Sequence, residues 1–288
     1  MNIYEIHKGN PDIFTQLYLK DQLFCYYQCP QKEKIVQLYS NHNQLTFTLG
    51  GQRILRQGDK KWTLTQDKGF LVKRGAFLQE LPNNYSDWKV LVLYFKDDYL
   101  KKVFEEFRPH FVLKNLPEVK VEMIEEFTID EKIQNIYESL LPYFSKSQLL
   151  PDSIFEGKFK ELLFNILIHP SNKQTLAYIN QIVDEYTIPI WQVMESNYYY
   201  DLKISEFAEI ANRSTSTFRR DFIKHYQTSP GKWLTAKRLE KATSLLQTSN
   251  KTISEITFDC GFKNISHFSR IFKEKFKLTP TEYRAKYS

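Results

Sequence analysis

Residues 253–284 read ISEITFDCGFKNISHFSRIFKEKFKLTPTEYR, and this stretch decides the fold because the chain has used its pattern once before. Phe218, Arg220, Phe222, Tyr226, Pro230 and Trp233 return 50 residues later as Phe268, Arg270, Phe272, Phe276, Pro280 and Tyr283. Upstream of a tight turn the offset is 49, where Ile204, Ser205 and Glu206 return as Ile253, Ser254 and Glu255. The second copy therefore carries one extra residue in its turn. Each copy reads as helix, turn, helix. In the second copy, Thr252-x-x-Glu255 is a capping box, Gly261 makes the turn and Asn264 caps the next helix. In the first, Phe207, Ala208 and Ala211 face inward, Asn212 suits the left-handed turn position and Ser214 is the N-cap. Residues 231–247 lie between the copies, with Trp233, Leu234, Leu239, Ala242, Leu245 and Leu246 on one side. They predict a rigid helix of about 26 Å.

Outward from the repeat the character changes. Five of the nine glycines, Gly50, Gly51, Gly58, Gly69 and Gly75, fall early, and three follow residue 75. Glycine serves turns between strands and is avoided inside helices. Residues 30–96 are thus expected to be β-rich and the rest mostly helical. Leu45, Phe47 and Leu49 alternate with Thr46 and Thr48, and Gly50-Gly51 reads as a hairpin turn. Strands follow at Ile54-Leu55, Trp62/Leu64, Phe70–Val72, Phe77-Leu78 and Val90–Phe95, implying a small barrel or sandwich. Asp97-Asp98 can cap a helix with Tyr99, Leu100, Val103, Phe104 and Phe107 on its apolar face. Further helices are expected over 129–143, 153–168 and 170–190. The stripe Phe155, Phe159, Leu162, Leu163, Ile166 and Leu167 suits either the barrel or a second subunit.

Composition narrows the classes. The 288 residues are 42% hydrophobic and 15% aromatic, too apolar for a disordered chain. No apolar run of about 18 residues is present, and the N-terminus lacks the pattern of a secretory signal. Three cysteines, Cys25, Cys29 and Cys260, make no disulfide framework and fit a cytoplasmic location. Cys25-x-x-x-Cys29 is read as two ordinary cysteines, not a zinc site. The net charge of +6 is unevenly placed. Residues 187–288 hold 17 Lys+Arg against 10 Asp+Glu, and residues 1–186 hold 23 against 24. A near-neutral domain, 1–186, is thus expected to precede a basic one, 187–288.

Taken together, residues 190–288 resemble the AraC/XylS family of bacterial transcription regulators. The resemblance is carried by Ile253, Glu255, Gly261-Phe262, His267-Phe268-Ser269-Arg270, Phe272-Lys273 and Thr279-Pro280-x-x-Tyr283-Arg284, with Arg238-Leu239-x-x-Ala242-x-x-Leu245-Leu246 in the linker. Asn212 and Arg213 depart from the family's usual Gly and apolar residue, and Gln227 and Lys277 stand where Gly is common. The resemblance implies an α+β chain. Its parts are a cupin-like N-terminal β-barrel with helices for regulation and dimerisation, then an all-α DNA-binding domain of two helix-turn-helix units on a linker helix. It implies a sequence-specific regulator, an activator, bound to double-stranded DNA and working with RNA polymerase. The effector is open between a small molecule and a protein, and a homodimer through the N-terminal half stays open.

Recognition helices enter the major groove by their N-terminal ends. In the first unit this selects Ser216, Arg219 and Arg220 for bases and Thr215, Thr217 and Lys224 for phosphates. In the second, Ile265, Ser266, His267, Ser269 and Arg270 face bases, and Lys263 and Lys273 face phosphates. Ile265 suits a thymine methyl. The competing roles are ion pairs of Arg220 and Arg270 with Glu206 or Glu255, and a merely solvated His267. No cofactor, metal site or catalytic residue is expected, since the six histidines form no His-x-His pair and no nucleotide loop is present. Lys73, Arg74, Arg53 and Arg56 either bind an anion within the barrel or face solvent. Two alternatives stand beside the regulator: a DNA-repair enzyme with a fused helix-turn-helix module, and a non-specific architectural DNA binder.

Overall fold

Long apolar strands between Gly turns build two antiparallel sheets in residues 1–187, and amphipathic helices build the rest. A computed structural model describes residues 1–20, 22–82, 87–144, 151–184 and 187–287. It divides into two units, Met1–Thr187 and Ile188–Ser288. In chain order the first contains α1 (Ile3–Gly9), β1 (Thr15–Leu19), β2 (Gln22–Gln28), β3 (Ile35–Ser40), β4 (Asn43–Gly50) and β5 (Arg53–Gln57). Then come β6 (Lys60–Leu64), β7 (Lys68–Val72), β8 (Gly75–Glu80), β9 (Lys89–Phe95), α2 (Asp97–Phe107), β10 (Ile124–Thr128), α3 (Glu131–Glu138), α4 (Asp152–Ile168) and α5 (Lys173–Val183).

The sheets have the orders β1-β2-β9-β4-β7-β10 and β3-β8-β5-β6. The expected closed barrel is therefore not formed: two sheets face each other, each with two edge strands. The expected Gly50-Gly51 hairpin is also corrected. β4 pairs with β7 and β9, whereas β5 pairs with β6 and β8, so the glycines carry the chain between sheets. The ladder shifts register between Thr48 and Gly50, and Gly51 takes φ 67°. β1, β2 and β10 lie outside the expected β-region.

The larger sheet is buried on both faces. Leu23, Cys25 and Tyr27 of β2 join Leu38, Leu55 and Phe77 of the smaller sheet in one core. Phe24 points the other way, into a second core with Leu45, Phe47, Leu91 and Leu93. The α4 stripe belongs here: Phe155 and Phe159 both stack near Phe24, with ring centroids 5.2 Å away. It is covered by its own sheet, which decides the choice left open above. Asp97 and Asp98 sit in the first turn of α2, but Lys96 holds the N-cap position. Asp97 instead pairs with Arg74 at 2.9 Å and accepts from Asn43. The helix expected over 129–143 is α3 followed by a short 3-10 turn, Leu141–Phe144. The single helix expected over 170–190 is a 3-10 turn, Pro170–Asn172, running into α5; Glu185 and Tyr186, and with them the expected boundary at 186, lie outside the described residues.

α1 is held by aromatic contacts. His7 is 2% exposed, packs on Phe14 and Tyr27, and places Nδ1 2.9 Å from the Tyr94 hydroxyl. Burial pushes its pKa down to about 3. Tyr4 stacks on His42, whose pKa is lowered to about 4 by burial and by Lys96, Arg74 and Lys8. Both rings are neutral when folded and charge near 6.5 when unfolded. Stability present above that value is lost as pH falls below it. For His7 alone the loss by pH 5 is about 2 kcal/mol. Denaturant titrations at pH 7 and pH 5 should show this loss, and His7→Gln should remove its own share while leaving that of His42. An equal slope in the variant would remove His7 as the cause.

The second unit contains α6 (Ile190–Asn197), α7 (Ile204–Ile210), α8 (Thr215–Tyr226), α9 (Pro230–Thr248), α10 (Ile253–Asp259), α11 (Ile265–Phe276) and α12 (Pro280–Tyr287). Phe218 and Phe222 of α8, and Phe268 and Phe272 of α11, are fully buried at equivalent places. Leu239, Ala242 and Leu246 of α9 pack on the second pair with Ile256 and Cys260.

Candidate nucleic-acid interface

The two turns are closed by the same backbone device. Arg213 N donates to Ala208 O at 2.9 Å, and Phe262 N to Thr257 O at 3.0 Å. Between each pair sits a left-handed residue, Asn212 at φ 53° and Gly261 at φ 79°. This is the helix-ending pattern in which glycine, and next to it asparagine, fits best. The second turn then takes one residue more than the first before its cap. Ser214 accepts from Thr217 N and Asn264 from His267 N, so both caps sit where the sequence places them. Gln227 and Lys277 end α8 and α11 at φ 53° and 63°, the conformation Gly would adopt more freely.

These caps fix which side chains project. On α8, Ser216, Arg219, Arg220 and Lys224 are exposed, and Thr215 and Thr217 half-buried. The hydroxyls of Ser216 and Thr217 lie 3.0 and 2.9 Å from Ser214 Oγ and help hold the cap. On α11, Ile265, Ser266, His267, Arg270 and Lys273 are exposed and Ser269 is half-buried; Lys263 precedes them in the turn, also exposed. Ile265 is 41% exposed. The four phenylalanines are core, as their spacing indicates.

The arginines do not make the alternative ion pairs. Arg220 lies 3.5 Å from Asp221, and Arg270 lies 2.8 Å from Glu274. Glu206 and Glu255 instead accept from the backbone N–H of Lys203 and Thr252. Lys263 pairs with Asp201 at 3.3 Å. All are surface pairs, which contribute about 0–1 kcal/mol each and exchange readily for a phosphate.

One residue has a role that sequence reasoning missed. Arg238, on α9, donates through Nε to Tyr198 O at 2.7 Å and through Nη2 to Tyr200 O at 2.6 Å. Its guanidinium also lies 5.9 Å from the Phe262 ring centroid. Desolvation pulls its pKa down to about 10. Arg238 thus ties the segment leading into α7 to the turn between α10 and α11. The same corner explains Gly261: a Cβ there would sit 2.9 Å from Tyr199 O. A basic residue on the inner side of α9 was the available signal.

The four N-terminal cations do not share one anion site. Arg53 is fully buried with its guanidinium 5.3 Å from the Trp88 ring centroid, and Arg56 pairs with Glu80. Arg74 pairs with Asp97, and Lys73 donates to Lys120 O at 2.8 Å. Burial lowers the Lys73 pKa to about 8. Neither Arg53 nor Lys73 faces solvent. Among the described residues no group of three or more His, Cys, Asp or Glu could hold a metal ion, and the three cysteines are free and buried.

Comparison with known proteins adds two family matches. Residues 207–286 match a family described as a helix-turn-helix domain, and residues 43–178 match the ExsA N-terminal regulatory domain. An uncharacterized HTH-type transcriptional regulator of Haemophilus influenzae is 27% identical over 161 residues, covering 54% of this chain and 53% of that one. The HTH-type transcriptional regulator ExsA of Pseudomonas aeruginosa is 27% identical over 127 residues, 44% of this chain and 46% of its own. The chain spans about half the length of these curated relatives. ToxT from Vibrio cholerae aligns over 92% of this chain and 98% of its own, at 14% identity and a TM-score of 0.41. By these matches the chain carries a helix-turn-helix domain over residues 207–286 and a region like the ExsA N-terminal regulatory domain over residues 43–178. Among the described residues, no helix is long and apolar enough to cross a membrane.

Proposed function

We propose that the chain is a sequence-specific DNA-binding transcription regulator, an activator, whose first unit receives an effector. The observation that carries this reading is the duplicated helix-turn-helix, with cations and small polar groups projecting at equivalent places from α8 and α11. Ser216, Arg219 and Arg220, and Ile265, Ser266, His267, Ser269 and Arg270, face the bases of two adjacent major-groove segments. Thr215, Thr217, Lys224, Lys263 and Lys273 hold phosphates. The segments lie about 34 Å apart, one helical turn. The 17 Lys+Arg against 10 Asp+Glu in 187–288 support a polyanionic partner. The division at 186/187, a cytoplasmic location, RNA polymerase as second partner and a homodimer through the first unit belong to the same reading. The paired sheets of that unit are taken as an opened, cupin-like sensory fold.

Selection from a random DNA pool tests the whole reading: an enriched two-part motif is expected, and its absence would favour non-specific binding. Residue roles separate within it. Arg270→Ala should relax preference at one position, costing about 1–3 kcal/mol on the preferred sequence. Lys273→Ala should weaken all sequences alike and reduce the salt slope by about one. Identical behaviour of the two variants in salt-dependent binding titrations would overturn the assignment.

A further inference from the structure

The first unit holds a cavity of about 210 Å³, open to solvent, with α1 on one side and β2, β3 and β8 around it. Its apolar wall includes Ile3, Ile6, Val36 and Leu38. Its polar side is unusual because three buried groups there have open hydrogen-bonding positions. Gln79, 6% exposed, uses its amide nitrogen on Gln31 Oε1 at 2.7 Å and on Cys29 Sγ at 3.7 Å. Among the described residues no donor reaches Gln79 Oε1. Tyr27, also 6% exposed, touches His7 and Phe14 through its ring, and its hydroxyl finds no partner among the described residues. The second nitrogen of His7 is open in the same way, since Tyr94 engages only Nδ1. Three polar atoms of mostly buried side chains, converging on one pocket without a protein partner among the described residues, can pair with a ligand that offers a donor beside an acceptor.

The lining also states the occupant's charge. No Lys or Arg side chain lines the cavity, and Glu33 at its exposed margin is the one acidic residue there. Burial keeps His7 neutral and pushes the Tyr27 phenol well above its usual range. The Met1 ammonium, exposed and donating to Gln37 O at 3.4 Å, is the one cation among the lining residues, and a carboxylate would set its own acceptor oxygens against Gln79 Oε1. A neutral molecule meets an acceptor at Gln79, a donor at Tyr27 and aliphatic surface opposite. The volume is below the roughly 300–1,000 Å³ of sites for drug-sized ligands, which limits the body to one ring or a short chain. We propose that this cavity binds a small uncharged molecule with a hydrogen-bond donor beside an acceptor, of primary-carboxamide character, on a compact apolar body. Its role as the effector site rests on the regulator reading above, but its occupancy does not.

The test uses the full chain without DNA and two matched pairs of probes: benzamide with benzoate, and hexanamide with hexanoate. Methyl-resolved NMR titration at neutral pH reports both affinity and place. The amides should shift the methyls of Ile3, Ile6, Val36 and Leu38 and bind at least about tenfold tighter than the acids, the scale of one or two well-placed hydrogen bonds. Gln79→Leu should remove most of that preference, and Val36→Phe should block both amides by filling the space. If either variant misfolds, the wild-type contrast and shift map still decide. Equal binding of acid and amide, shifts away from these methyls, or no shift with either amide would overturn the proposal. Amide binding by a chain that selects no DNA sequence would keep this site and remove the regulator reading. Sequence selection without amide binding would do the reverse.

Discussion

Arg238→Met is expected to lower affinity for a DNA site holding both recognition elements by about a hundredfold, with little change for a site holding one. The methionine keeps the apolar stem and removes the two donors that hold Tyr198 O and Tyr200 O. Two charge-assisted bonds to carbonyls contribute about 3 kcal/mol together, or two decades in binding. That energy lies away from the proposed DNA contacts; it fixes the lead-in to α7 against Phe262, and so the first helix-turn-helix against the second. A duplex with both elements therefore gains from one pre-set spacing. When the tie is cut, the two units bind as loosely linked modules and the spacing penalty falls. Anisotropy titrations against the intact duplex, a duplex with one element scrambled, and one with a base pair inserted between elements measure each part. An equal loss on all three would mean Arg238 supports only the local fold.

Gly69→Ala is expected to destabilise the first unit by about 3 kcal/mol, at the upper end of overpacking costs. Gly69 lies on β7 directly opposite Phe47 of β4 and Phe127 of β10. The two rings meet edge to face at 5.8 Å over the space a side chain would fill. An added Cβ would lie 2.0 Å from Phe127 Cε2, and Phe127 is 2% exposed. For a unit of this size the midpoint of thermal unfolding should fall by about 10 °C. Phe127→Leu in the Gly69→Ala background should recover part of it, because the branched side chain leaves the contact. Absence of coupling in this double-mutant cycle would place the strain elsewhere.

What could be read from sequence divides by whether information is local. Caps and turns are local: Ser214, Asn264, Thr252 with Glu255, and Asn212 and Gly261 announce themselves within five residues. The duplicated phenylalanines extended that reading to a whole unit, because two copies constrain each other. The first unit resisted. β2, QLFCYYQ, is buried on both faces and shows no alternation, so nothing marked it as a strand. Gly50-Gly51 looks like a hairpin because the turn chemistry is right. Only pairing with distant strands reveals that it joins two sheets. The cavity is less legible still, since His7, Tyr27 and Gln79 come together only through strand register.

The extra residue between α10 and α11 makes the two units similar but not interchangeable. Asn212 is followed by one residue before the cap of α8, whereas Gly261 is followed by two before the cap of α11. α8 and α11 therefore follow turns of different length, and the two units are not exact copies. On the DNA-binding reading, such a chain carries an arrow. Reversing its target reverses the chain, so a promoter would be specified by the direction of its binding site as well as by its letters.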